Sequence, residues 1–178
     1  MNFLIFNLDN GSKKPCNLAE LSKSLAPNCE ILREVGDSYE AIGFVSHKLL
    51  VHFAVEWTDY AIQNYSKKNL VQAQTCISLV KKWIEDSSSV SNEELASAAS
   101  AASAASAASA ASAASDAAAR AAYAAAYAAY AAANAAYVAD AAADAAYAAY
   151  AADKSKLNEQ NRQGNFILKY FLDSSNIY

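Results

Sequence analysis

Glycine, proline and histidine are scarce in this chain: four, two and two among 178 residues, with a single methionine. The glycines, at 11, 36, 43 and 164, stand alone, so there is no glycine-rich phosphate loop, and no HExxH or GxSxG pattern occurs. The two histidines, His47 and His52, are five apart. Five residues turn a helix by about 140°, which excludes the i, i+4 pair by which a helix grips zinc. Cys16, Cys29 and Cys76 form no CxxC pair, and their odd number reads as reduced thiols in the cytoplasm. The opening residues 1–6 lack a basic region and carry only a short apolar run, so no export signal is expected. Basic residues are outnumbered 14 to 18, for a net charge of −4 and a sequence pI near 5.1. A nucleic-acid binder needs a basic face to displace counterions, so nucleic acid is not the expected partner; a protein with a basic surface is. Together these absences lead to an expectation of a non-enzyme with no cofactor and no metal.

What the chain has in abundance is alanine. It inflates the hydrophobic fraction to 54%, because from Ala96 to Ala152 the only larger aliphatic side chain is Val138. Alanine buries little area, so the ends of the chain must supply the large core residues and the middle must supply close backbone packing. The length suits one domain with a real core. A membrane-spanning reading of the alanine tract fails. Asp116, Arg120, Asp140 and Asp144 lie in it, and each costs about 2.5–3.5 kcal/mol at the centre of an inserted helix.

Element by element, the pattern predicts an all-α fold: a single-domain helical bundle with its long alanine-rich helices packed closely at the centre. Residues 1–37 read as an N-terminal arm with a short helix, and 38–178 as the alanine-rich helical domain. Phe3 to Phe6 fit either a short strand or a packed arm, and Asn10-Gly11 marks a turn. Asn17 with Glu20 forms a capping-box pattern ahead of Leu18, Leu21 and Leu25, and Pro27 stops that helix. A helix is expected over 38–65 from Ile42, Val45, Leu49, Phe53, Trp57 and Tyr60, and another over 69–85 from Leu70, Ala73, Ile77, Val80 and Ile84. Asn92-Glu93-Glu94 makes an acidic helix start. As one helix, the tract that follows would span roughly 90 Å, too long for a domain of this size, so a break is expected near Ser115-Asp116. A last helix over 155–172 should turn Phe166, Ile167, Tyr170 and Phe171 inward, with Gly164 weakening its middle.

The tract has two unlike halves. Serines recur every third residue from Ser97 to Ser115. Three residues advance a helix by about 300°, so each serine falls about 60° behind the last and the series winds round the helix. That speaks against a flat ice-binding face and for a repeat that helix propensity tolerates. Tyr123, Tyr127, Tyr130, Asn134, Tyr137 and Asp144 instead step by four, three and then seven, and share one face. Tyrosine is at home both at a core boundary and in a binding hot spot. Asp140 and Asp144 lie one turn apart, which alone is a weak cation signal.

Four stretches, in order, carry a family resemblance: Leu49-Leu50-Val51-His52-Phe53-Ala54-Val55-Glu56-Trp57; Lys81-Lys82-Trp83; Tyr130-Ala131-Ala132-Ala133-Asn134-Ala135-Ala136-Tyr137-Val138-Ala139-Asp140; and Glu159-Gln160-Asn161-Arg162. Over roughly residues 46–172 the chain resembles the Imm5 and Imm5-like group of bacterial immunity proteins, an all-α family of polymorphic toxin systems also met in prophage-type genes. Histidines often stand in that family where Tyr130 and Tyr137 stand here, and an aspartate where Asp140 does. The first 40 residues have no counterpart. The resemblance implies an immunity-type inhibitor that binds a cognate toxin stoichiometrically, with Tyr130, Tyr137, Asp140 and Asp144, plus Glu56 and Asp59 on the earlier helix, as the expected partner-binding residues. A phage- or prophage-encoded inhibitor of a host defence complex is the alternative. A scaffold that self-associates through its alanine and tyrosine faces, with a homodimer as its simplest form, is a third.

Overall fold

A computed structural model describes residues 2–65, 70–111, 116–134 and 156–173, together with 141, 144–146 and 148. The all-α expectation is wrong. The first 45 residues build a four-stranded antiparallel sheet from β1 (Asn2–Asn7), β2 (Lys13–Asn17), β3 (Cys29–Val35) and β4 (Ser38–Val45), in the order β2-β1-β3-β4. The helices are α1 (Leu21–Ser24), α2 (His47–Tyr65), α3 (Val71–Glu85), α4 (Asn92–Ala111), α5 (Asp116–Ala133) and α6 (Lys156–Leu172). Ala141, 144–146 and Ala148 are helical as well.

The sheet follows from an alternation that a helical reading overrides. Phe3 and Ile5 in β1, and Cys29 and Ile31 in β3, are buried, while the residues between them are only partly so. Gly36 at φ +60 and Asp37 form a two-residue loop between the paired Val35 and Ser38, and glycine suits such a hairpin turn. That hairpin joins the two stretches divided at Asp37/Ser38, and it converts residues 38–45 from expected helix to strand. Ile42 and Val45 do fall at helical spacing with Leu49, but the β3 ladder, from Val35↔Ser38 to Cys29↔Val45, takes up their backbone instead. Helix α2 therefore begins at His47, behind Ser46, whose hydroxyl accepts from the Leu49 N–H at 3.2 Å.

Other local expectations hold. Asn17 and Glu20 form a reciprocal capping box, each backbone N–H donating to the other's side chain at 3.2 and 3.1 Å. The turn it closes leads into a helix of only four residues, Leu21–Ser24, ahead of Pro27. Ser91 and Glu94 make a second box at the start of α4. Helix α4 is described to Ala111 and α5 from Asp116, so the break expected near Ser115-Asp116 falls on residues 112–115, outside the described residues.

Helix α2 is buried nearly all round by Leu50, Val51, Phe53, Ala54, Val55, Trp57, Ala61 and Ile62. Helix α5 is its counterpart in alanine: residues 121, 122, 124, 125, 126, 128, 129 and 131 are all fully buried. It packs against α2, α3 and α4, and the small side chains let groups on its neighbours reach its backbone. Cys76 Sγ on α3 donates to the Ala125 carbonyl at 3.1 Å, and His47 Nε2 on α2 lies 2.6 Å from that of Ala131. On α4 the packed positions are Leu95, Ala99 and Ala102; Ser97 and Ser100 are exposed, whereas Ser103 and Ser106 are half-buried, as the 60° retreat requires.

Helix α6 seals the other side of α2. Phe53 meets Phe166, Tyr170 and Phe171 edge-on at 5.8, 5.6 and 6.4 Å. A buried polar network ties α6 to α1. Glu159, fully buried, accepts Arg162 Nε and Nη2 at 2.5 and 2.6 Å. Gln163 donates to Glu159 and to the Ala146 carbonyl at 2.9 and 3.1 Å, and accepts from the Ser22 hydroxyl at 2.8 Å. The Arg162 guanidinium also stacks on Tyr60 at 3.7 Å. No helix among the described residues is long and apolar enough to cross a membrane.

Candidate functional site

Because α5 is surrounded by neighbours over most of its circumference, its outward stripe is narrow, and tyrosines occupy it. Tyr123 is 41% exposed, Tyr127 and Tyr130 are half-buried, and Asn134 beyond them is exposed. The rings form a ladder along the helix axis, Tyr123 to Tyr127 at 4.6 Å and Tyr127 to Tyr130 at 6.3 Å, the second pair edge-on. Neighbouring rings contact one another, so the stripe is a continuous, partly exposed aromatic surface. That is the kind of surface a protein partner binds at low conformational cost.

The other expected residues divide. Tyr137 and Asp140 lie outside the described residues. Asp144 is half-buried. Asp59 is held by Lys81 of α3 at 2.5 Å, so its charge is largely answered within the chain. Glu56 opens instead on a cleft of about 640 Å³ between α2 and α6. Tyr130, Asp59 and Glu56 thus belong to three neighbourhoods: the α5 ladder, the α2–α3 ion pair and the α2–α6 cleft.

Sequence reasoning missed that cleft. Its wall is aromatic, from Phe166 and Tyr170, with Leu49 and Ile84 beside them; Lys48, Lys169, Glu56 and Asp173 also line it. His52 lies in the wall, with ring centroids 5.7 Å from Tyr170 and 6.3 Å from Phe166. Burial pulls the His52 pKa below its usual value; Glu56 opposes that shift and Lys81 adds to it. The imidazole is therefore neutral at pH 7. The one available signal was that Lys48, His52 and Glu56 recur every fourth residue on α2, which places them on one stripe.

Two features bear on chemistry. Burial pushes the Cys76 thiol up to about 12, so at neutral pH it is a protonated hydrogen-bond donor to α5 and not a nucleophile. Among the described residues no three His, Cys, Asp or Glu side chains converge as metal ligands. Comparison with protein-family models, with curated proteins and with solved structures finds no match to this chain.

Proposed function

We propose that this chain is an immunity-type protein that binds a cognate bacterial toxin stoichiometrically in the cytoplasm and neutralises it, without catalysis of its own. The observation that carries this reading is the tyrosine ladder on α5, an aromatic stripe on a helix whose alanines at 121, 122, 124–126, 128, 129 and 131 are fully buried. The net charge of −4 supports it, since an acidic protein is steered toward a basic toxin such as a nuclease. So does the family resemblance, whose most specific stretch begins at Tyr130, at the end of the ladder.

The test is co-purification with the toxin encoded beside this gene, followed by titration calorimetry. Tyr123→Ser removes the most exposed ring of the ladder and leaves the alanine face untouched. It should weaken binding about tenfold or more, the loss of one interfacial anchor of ~1.4 kcal/mol. Asp144→Lys should slow association, and more so at low salt. Unchanged affinity in both variants would remove this face from consideration. Capture of a host defence subunit in place of a toxin would replace the reading with that of a phage-borne inhibitor.

A further inference from the structure

The two edges of the sheet are unlike. At one edge β2 carries Lys13, Lys14 and Pro15, and a proline in an edge strand withholds a donor while lysines repel an incoming strand. At the other edge β4 has the sequence Ser-Tyr-Glu-Ala-Ile-Gly-Phe-Val, with no proline and no lysine. Four residues, Ser38 to Ala41, and then Phe44 are exposed, and Tyr39 and Phe44 keep 49% and 48% of their surface in water. Among the described residues no strand pairs with the free side of β4. We infer that β4 pairs antiparallel with β4 of a second copy of this chain, about a two-fold axis between Ala41 and Ile42, to make one continuous eight-stranded sheet.

The strand is self-complementary in that register. The ladder with β3 shows which residues share a face. Tyr39, Ala41 and Phe44 lie opposite Glu34, Leu32 and Glu30 on the open face, whereas Ser38, Glu40, Gly43 and Val45 lie opposite Val35, Arg33, Ile31 and Cys29 on the packed face. Tyr39 and Phe44 are five apart and would point to opposite sides of a regular strand. The bulge that makes Ile42 an extra residue brings both to the open face. Folded on itself about Ala41 and Ile42, the strand pairs all eight residues. Tyr39 then faces the second copy's Phe44 twice, an aromatic cross-strand pair on the same face. Glu40, the only charge on the strand, faces glycine. The two Glu40 carboxylates sit three residues apart along the ladder, ~10 Å, about one screening length at ordinary salt. Pairing of β4 with β2 of another copy is opposed by Pro15, and it would be head-to-tail and open-ended, whereas the two-fold pair closes. The outer face of the new sheet would continue the partly buried Leu4, Phe6 and Leu32 of each copy.

This inference stands apart from the toxin-binding reading. Sedimentation of the isolated chain from ~1 µM to ~1 mM should show the mass rise from 18.8 kDa toward twice that value. Tyr39→Lys with Phe44→Lys sets lysine against lysine across the axis, yet places each beside a glutamate of β3 in its own sheet. It should keep the native circular dichroism spectrum and stay monomeric throughout. For register, Tyr39→Cys with Phe44→Cys should give a covalent dimer on mild oxidation, while each single variant should not. Within one chain the two positions are ~16 Å apart, beyond the reach of a disulfide. A monomer at every concentration overturns the proposal and leaves the edge to a strand of a different protein. A dimer that survives the double lysine variant, or a Tyr39→Cys chain that cross-links alone, overturns it too.

Discussion

Gly164 lies in the middle of α6, where helix propensity and tertiary contact pull in opposite directions. Propensity alone says that Gly164→Ala stabilises the protein by ~1 kcal/mol, because glycine loses more backbone entropy than alanine in a helix. The structure says the reverse. A Cβ on residue 164 would lie 2.3 Å from the Leu18 carbonyl oxygen and 2.8 Å from Leu18 Cδ1. The first of these is backbone, so the clash cannot be relieved by a rotamer change. The segment running from the Asn17 capping box into α1 would have to withdraw by most of an ångström. Overpacking of this kind costs about 1–3 kcal/mol. The displacement also stretches the bond from Ser22 to Gln163, now 2.8 Å, which is worth about 1 kcal/mol when buried. Against the propensity gain, the net is a loss of about 1–3 kcal/mol. Urea unfolding followed by circular dichroism measures it. In a chain of this length, about 2–4 °C of melting temperature goes with each kcal/mol. A Gly164→Ala protein as stable as the parent, or more so, would refute the close α1–α6 contact.

Glu159→Ala leaves the Arg162 guanidinium and the Gln163 amide without their buried acceptor, and should destabilise the protein by about 2 kcal/mol or more in the same assay. All three cysteines are buried, and burial raises the pKa of each, so a thiol reagent at pH 8 should label none in the native protein and all three in denaturant. His52 has its pKa lowered on folding, so between the folded value and 6.5 the unfolded chain binds more protons. Stability should therefore be full above about pH 7 and decline as pH falls below 6.5. His52→Gln should flatten that slope, and a slope unchanged by the substitution would count against it. Phe171→Ala should loosen α6 from the sheet, because its ring fills the space beside Gly43 where a side chain would otherwise stand. The expected loss is about 3 kcal/mol, read by urea unfolding.

Helices with strong local signals were legible in the sequence. The capping box at Asn17, the apolar spacing of α2 and α3, and the acidic start of α4 depend on contacts within a few residues, and those appear in order along the chain. Of the sheet, only a strand over Phe3 to Phe6 was legible, as one of two options. The sheet's pairs join residues far apart in sequence, such as Phe3 with Arg33, and in β4 a bulge spoils the alternation by which strands are read. The tyrosine face of α5 was visible as spacing, but its worth as a site was not. That worth rests on the burial of the alanines around it, which depends on what α2, α3 and α4 cover. Asp59 shows what spacing leaves out: its position on the helix face gives no sign of the Lys81 amine 2.5 Å away.

By itself, then, the sequence determined that residues 92–111 and 116–133 are helical, that their serines wind and their tyrosines align, and that no common catalytic motif is present. These follow from propensity and from 3.6 residues per turn, which need no partner. Only the tertiary structure decided that the N-terminal 45 residues are a sheet with one blunted and one open edge. It also decided that Gly164 marks a contact in place of a weakness, and that Glu56 lines a cleft with Lys48 and His52. Each depends on which distant backbone comes to lie alongside, and no spacing within one segment encodes that.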